Sequence, residues 1–331
     1  MERFALAAAV VLGFALTAAL CSLFVPLRRV LERREQNQQP AQSEQPRPAP
    51  LRAPLWGGLC AAAGTVAAVG VGWLAACVGQ PELLGSEGRL MTRLLTALAG
   101  SLAFGAVGLA EDVARMRSPA ALGLRRDVRL LLEALAAAFV LLLLQAAGCL
   151  PRGLDVPGAG YVLLGSAVPF LWAVLMVALA ECARVAERDE GTVCGAAFVA
   201  MLALMMVEAG LGVSGLAVLP GALAGALVAL GLWAFPPAKL GAGCCGSLLA
   251  AGAIGCIPLS LDMTSLTVPL ALPFWAAGGL LAAQLLGAKR TGKPLRCWVK
   301  KHKMSPETVF LCSFALSAVG YVLALALLRW C

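Results

Sequence analysis

Four short stretches of this chain carry acids, arginines and glycines in patterns that can do chemistry. In the first, Glu111 and Asp112 are adjacent and Arg115 follows. Neighbouring carboxylates resist joint ionisation and can share a proton or a divalent cation, while a nearby arginine can meet a phosphate. Gly123, Leu124 and the run from Arg129 to Glu133 lie just beyond. The second stretch runs from Glu181 to Gly191. Here Glu187 and Glu190 are spaced i,i+3, and would share one helical face with Arg184 a turn earlier. The third is the glycine-rich turn Gly241, Gly243, Cys244, Cys245, Gly246, Ser247, which feeds a helix whose first N–H groups and positive dipole end could receive an anion. The fourth is Pro54, Gly57 and Gly58 at a helix entrance, where paired glycines allow helices to approach closely. Each has a plainer reading as a solvated helix end, a salt-laced turn or a packing contact.

The elements that must position these stretches follow from composition. Of 331 residues, 60% are hydrophobic and 13% charged, with a mean hydropathy of +0.86. The apolar residues form blocks of about 20, the length that crosses a hydrocarbon core. Leu/Ala/Val runs without period-2 alternation satisfy their backbone in lipid as helices. The expected fold is all-α, a polytopic integral membrane protein of about ten transmembrane helices. The spans are 4–26, 56–78, 90–110, 128–148, 161–182, 193–211, 215–235, 246–262, 266–286 and 308–329. The first lacks a convincing cleavage site and is followed by Arg28, Arg29, Arg33 and Arg34, so it reads as a retained helix. On these spans 21 of the 26 lysines and arginines fall on one side of the membrane. That side is expected to be cytoplasmic and both termini outside. The expected organisation is one membrane domain, 1–331, with a Pro/Gln-rich cytoplasmic loop at 35–54 and a basic cytoplasmic loop at 287–307.

The net charge of +8 follows from this bias and implies anionic membrane lipid, with no reason to invoke nucleic acid. Most of the twelve cysteines lie in or beside apolar spans, where thiols pack as small hydrophobes. No Cys-x-x-Cys pair and only one histidine, His302, leave no zinc-like set.

In this order and at these helix ends, the four stretches resemble the phospho-N-acetylmuramoyl-pentapeptide transferases, within the wider family of polyprenyl-phosphate phosphosugar transferases. Pro54 to Gly58 looks like the family's Pro-Thr-Met-Gly-Gly, and Gly108 to Arg115 like its Gly-Phe-Ile-Asp-Asp-Tyr-x-Lys. Glu181 to Gly191 matches the spacing of Asn-x-x-Asn-x-x-Asp-Gly-x-Asp-Gly, and Pro237 to Leu248 resembles Pro-Ala-x-x-Phe-Met-Gly-Asp-x-Gly-Ser-Leu. Lys289 to Gly292 is similar to the Lys-x-Thr-Gly that precedes a histidine cluster. The resemblance implies transfer of a phosphosugar from a UDP-sugar to a polyprenyl phosphate in cell-wall precursor synthesis. It implies Mg2+, a bacterial plasma membrane with a cytoplasmic site, and a possible homodimer. It puts Asp112, Glu111 and Glu187 at the catalytic centre and Asp112, Glu187 and Glu190 on the metal. Arg115, Arg184, Arg188, Gly243, Gly246, Ser247 and His302 would then hold substrate phosphates.

The departures fall on the same residues. The first acid of the pair is Glu111, both asparagines are replaced (Glu181, Arg184), and both later aspartates are glutamates. The Asp of the glycine turn is Cys244, a thiol where a hard cation wants oxygen. The histidine cluster is reduced to His302. Three readings stay open: a divergent transferase, a non-catalytic relative that binds polyprenyl phosphate or a partner enzyme, and an unrelated membrane transporter.

Overall fold

A computed structural model describes residues 2–38, 56–79, 88–117, 123–156, 160–163, 165, 167–187, 191–213, 215–235, 239–286 and 305–328. The described chain is helical: α1 (Glu2–Gln38), α2 (Gly57–Gly79), α3 (Gly88–Arg117), α4 (Arg126–Ala146), α5 (Ala167–Ala186), α6 (Thr192–Gly210), α7 (Val218–Ala234), α8 (Gly243–Ser260), the short α9 (Thr267–Leu270), α10 (Leu272–Leu286) and α11 (Pro306–Leu328). Seven of these helices are long and apolar enough to cross a bilayer, and α7 is a shorter apolar helix. The protein is therefore a helical polytopic membrane protein. Length and composition alone do not carry the expected count of ten.

The differences from expectation have local causes. The segment 161–182 does not begin as a helix: Gly160–Leu163 pairs antiparallel with Gly153–Val156, and α5 starts only at Ala167. The Pro157–Gly158 dipeptide between the strands is a turn signal inside an otherwise apolar run. The span 266–286 is split into a 3-10 turn at Thr264–Leu266, α9 and α10. Pro269 and Pro273 each remove a backbone donor there. Helix α1 continues through the arginine pairs to Gln38, so the expected loop 35–54 begins as helix, and the rest of it up to 55 lies outside the described residues. The loop 287–307 lies outside them up to 304, and its last residues open α11.

Helix α8 is the axis. Every residue from Gly243 to Ser260 is buried, as suits a helix apolar on all faces. It packs antiparallel against α3 along a seam of small residues. A Cβ on Gly108 would overlap the Cys244 carbonyl oxygen, one on Gly105 would meet Leu249 at 3.3 Å, and Gly252 faces Ser101 and Phe104. Gly100 faces Cys256. Without a hydrophobic drive between helices in lipid, close backbone contact of this kind supplies the association. Helix α2 joins the same end of α8: a Cβ on Gly58 would overlap the Gly246 nitrogen and sit 2.6 Å from the Ala242 oxygen. The paired glycines thus make the close helix approach their spacing suggests.

Helices α1 and α2 form a second antiparallel seam, in which Ala9 meets Gly72, Thr17 meets Gly64 and Phe24 stacks on Trp56 with ring centroids 5.9 Å apart. The same register sets Cys21 near Cys60, both of them buried and free. They are packing residues, as are the other buried cysteines of the helices.

A substitution pair tests the α3–α8 seam. Gly108→Ala destabilises the protein in detergent by about 1–3 kcal/mol, because the overlap is with backbone that cannot move aside. Gly70→Ala on α2, where nothing lies within 4 Å, leaves the thermal midpoint unchanged or higher. Equal midpoints for the two variants would show that α3 and α8 are not in contact at Gly108.

Candidate functional site

The antiparallel seam determines where Asp112 goes. One turn beyond Gly108, α3 runs past the first residues of α8, and the Asp112 carboxylate meets the amides that begin it. Cys244 N–H donates to Oδ1 at 3.0 Å and Cys245 N–H to Oδ2 at 2.9 Å. The α8 start has no cap of its own, since Ala242 makes no side-chain cap bond. Gly243 turns the chain in with φ +68, a left-handed conformation suited to glycine. The first amides of a helix need acceptors, and the positive dipole end favours an anion. Asp112 meets both needs from another helix, 132 residues away in sequence. It is 1% exposed.

Around that contact an ion-pair network ties four segments together. Arg115 donates to Glu111 Oε1 at 2.6 Å, and its second terminal nitrogen lies 3.9 Å from Asp112 Oδ1 and 4.0 Å from Glu187 Oε2. Glu187 continues from the end of α5, its N–H bonded to the Ala183 oxygen. From α4, Arg129 donates to Glu181 Oε1 at 2.7 Å and lies 3.7 Å from Glu111. Arg184 donates to the other Glu181 oxygen. Gly123, with φ +71, keeps space over this cluster: a Cβ there would meet Arg115 Cγ at 3.0 Å and Glu111 Cγ at 3.5 Å. All of it sits where α3 and α5 end and α4 and α8 begin, at one end of the bundle.

Of the residues singled out from sequence, Glu111, Asp112, Arg115, Arg184, Glu187, Gly243 and Gly246 belong to this cluster or its helix turn. Ser247 is buried one turn into α8 and donates to the Cys244 carbonyl at 3.1 Å, so its hydroxyl serves the helix backbone. Arg188, Glu190 and His302 lie outside the described residues. Three members of the network were not among the candidates: Arg129, Glu133 and Glu181. Their signal was the i,i+4 pair Arg129/Glu133 at the entrance of an apolar helix, since buried charge near a bilayer needs a partner. Glu133 is fully buried 3.9 Å from Arg129, and neither of its oxygens has a hydrogen-bond partner among the described residues.

The divalent cation implied by the resemblance can be tested against these donors. Magnesium takes oxygen ligands at about 2.0–2.1 Å in octahedral geometry. Here both Asp112 oxygens already accept amide hydrogen bonds, a guanidinium nitrogen lies near Asp112 and Glu187 alike, and position 244 offers sulfur. Among the described residues no group of three His, Cys, Asp or Glu side chains is arranged to hold a metal ion. The described donors do not fit a magnesium ion.

The family model for glycosyl transferase family 4 matches residues 94–262, which run from α3 through the whole of α8 and contain every residue of the network. This match covers half of the chain, which therefore belongs to glycosyl transferase family 4. The chain is also 33% identical over 170 residues to the phospho-N-acetylmuramoyl-pentapeptide-transferase of Desulforudis audaxviator (strain MP104C), covering 48% of this chain and 50% of that protein. It thus spans about half the length of the curated relative it matches.

Two variants separate the roles of the buried acids. Asp112→Ala strips two buried amides of their acceptor, so it costs about 1–3 kcal/mol and speeds hydrogen exchange at Cys244 and Cys245. Glu133→Gln keeps or raises the thermal midpoint, because a fully buried carboxylate with no hydrogen bond among the described residues, and only a 3.9 Å ion pair, is replaced by a neutral group of the same shape. Unchanged exchange in the first, or a clear loss of stability in the second, would contradict the bonding described here.

Proposed function

We propose that this protein transfers a phosphosugar from a UDP-sugar to a polyprenyl phosphate at the inner leaflet of a bacterial plasma membrane. The observation that carries this reading is the meeting of Glu111, Asp112, Arg115, Arg129, Glu181, Arg184 and Glu187 at one end of the bundle. These residues come from three helices and one turn and are separated by up to 76 positions in the chain. Membership of glycosyl transferase family 4 supports it, as does the likeness to an enzyme named for phospho-N-acetylmuramoyl-pentapeptide. On that name, the first donor to test is the UDP-linked N-acetylmuramoyl-pentapeptide.

In the proposed reaction an oxygen of the lipid phosphate attacks the sugar-bearing phosphorus of the donor. A new P–O bond forms, the pyrophosphate bond to the nucleotide breaks, and UMP leaves. The two reactants are both anionic and repel each other, so the main requirement is positive charge fixed where their phosphates meet. Arg115, Arg129 and Arg184 would supply it, with exposed Arg117, Arg125 and Arg126 drawing the headgroups in from the rim. The carboxylates would hold the guanidiniums in place. Cell-wall precursor synthesis is the setting this chemistry suits, and a site at the membrane surface lets a soluble nucleotide sugar reach a lipid acceptor.

One observation favours a second reading, a relative that binds polyprenyl phosphate without turnover: Cys244 replaces the acid at the turn, and its amide is held by Asp112. The test is exchange of labelled UMP into the UDP-sugar, by purified protein in detergent with polyprenyl phosphate. The transferase reading expects exchange that falls at least about 10²-fold in Arg129→Gln, a group placed at the reacting phosphates. No exchange, with lipid phosphate still bound, would establish the second reading instead.

A further inference from the structure

We propose that this chain binds its phosphate ligand on guanidinium groups alone, without a divalent cation. The inference rests on the phosphosugar-transferase reading for the class of ligand, a phosphate monoester on a lipid. It departs from that reading on what neutralises the phosphate.

Three features of the site lead to it. The first is the lack, among the described residues, of a seat for a hard ion, with Asp112 committed to the α8 amides and a thiol at position 244. The second is that two of the first amides of α8, those of Cys244 and Cys245, already donate to Asp112 and are closed to a phosphate. An anion arriving at this end of the bundle therefore finds side-chain donors, not backbone ones. The third is the unused capacity of those donors. A guanidinium carries five N–H groups in a planar fork. Among the described residues Arg115 bonds Glu111 and Arg129 bonds Glu181, each through one nitrogen. Arg184 bonds Glu181 through one terminal nitrogen, while its Nε is buried with no hydrogen-bond partner among the described residues. The Arg184 side chain is 9% exposed, and this N–H is shielded from solvent.

Charge placement agrees with this. The Arg115 nitrogen that lies 3.9 Å from Asp112 and 4.0 Å from Glu187 already puts a positive charge beside two of the three acids that the resemblance assigns to a metal. Arg115 is the most open of the three arginines, at 21% exposed, and a phosphate can reach it from the rim. Bidentate arginine–phosphate pairing is strong enough to compete with a carboxylate partner. Glu111, Glu181 and Glu187 then act as positioning residues, keeping the forks from collapsing when no ligand is bound.

The experiment uses the full chain in detergent and farnesyl phosphate as the probe, titrated once with EDTA and once with magnesium chloride. Farnesol and inorganic phosphate are run beside it to separate the lipid tail from the headgroup. Affinity for farnesyl phosphate is expected to be the same in both buffers within about twofold, and to fall at least about tenfold in Arg184→Gln and in Arg115→Gln. Arg184→Lys, which keeps the charge and loses the fork, falls between. Farnesol is expected to bind much more weakly, and inorganic phosphate to compete with the probe. Binding that rises about tenfold or more with magnesium would overturn the inference and leave the transferase reading standing. Binding in neither buffer by protein that melts normally would overturn both, leaving the cluster as a structural clamp. Equal binding of farnesol would also overturn the inference, since the headgroup would then not be recognised. A second measurement does not depend on the arginine variants folding: magnesium leaves the wild-type melting midpoint unmoved, but raises it in Cys244→Asp, which adds a third carboxylate beside Asp112 and Glu187. A magnesium-dependent rise in the wild type would count against the proposal as firmly as the titration.

Discussion

The structure turns on the bond between a carboxylate of α3 and the first amides of α8. Helix α8 is buried along its whole length, so amides left unmet at its start would have no water to turn to. No residue of the Gly241–Gly243 turn can cap them, and Asp112 does so from across the α3–α8 seam. That bond settles the relative height of the two helices to within a residue. It also brings Glu111 and Arg115 to the level where α5 ends and α4 begins. Remove the seam of Gly100, Gly105 and Gly108 and the carboxylate would stand too far from the amides. The packing glycines and the polar site are thus one device.

The ion pairs built on that contact are better understood as positioning than as stability. Taking charges out of water costs several kcal/mol each, and buried pairs often do no more than recover that cost. A purely structural end to this bundle would have been served as well by apolar side chains. Instead the chain keeps five acids and three arginines within reach of one another, two of the acids with oxygens that have no described hydrogen-bond partner. Buried charge retained at such cost is what the proposed function draws on.

The replacement of the turn's acid by Cys244 makes sense in the same frame. In a turn that presents oxygen to a hard cation, the helix amides behind it can stay open to the substrate. Here the Cys244 and Cys245 amides are taken, and an Arg115 nitrogen lies 3.9 Å from Asp112 and 4.0 Å from Glu187. On the proposal made above, the thiol at position 244 and the engagement of the amides belong together, in a site whose positive charge comes from guanidiniums.

Much of this protein could be read from residues alone, because the controlling physics is local. Backbone in lipid must bond to itself, so apolar blocks of about 20 residues become helices, though α1 and α3 run on well past their apolar blocks. The glycines at 57, 58 and 108 and the acids and arginines at helix ends were equally visible, since small residues and charges are conspicuous in so apolar a chain. What could not be read was which groups meet. Nothing near Cys244 in the chain announces that its amide is bonded to Asp112, and the isolated pair Arg129/Glu133 gave no hint of Glu181. The hairpin at 153–163 and the break before α10 also escaped a reading by apolar length. The physical reason is the same throughout: hydrogen bonds and ion pairs depend on distances of a few ångströms between segments far apart in sequence, and those distances exist only once helices have packed.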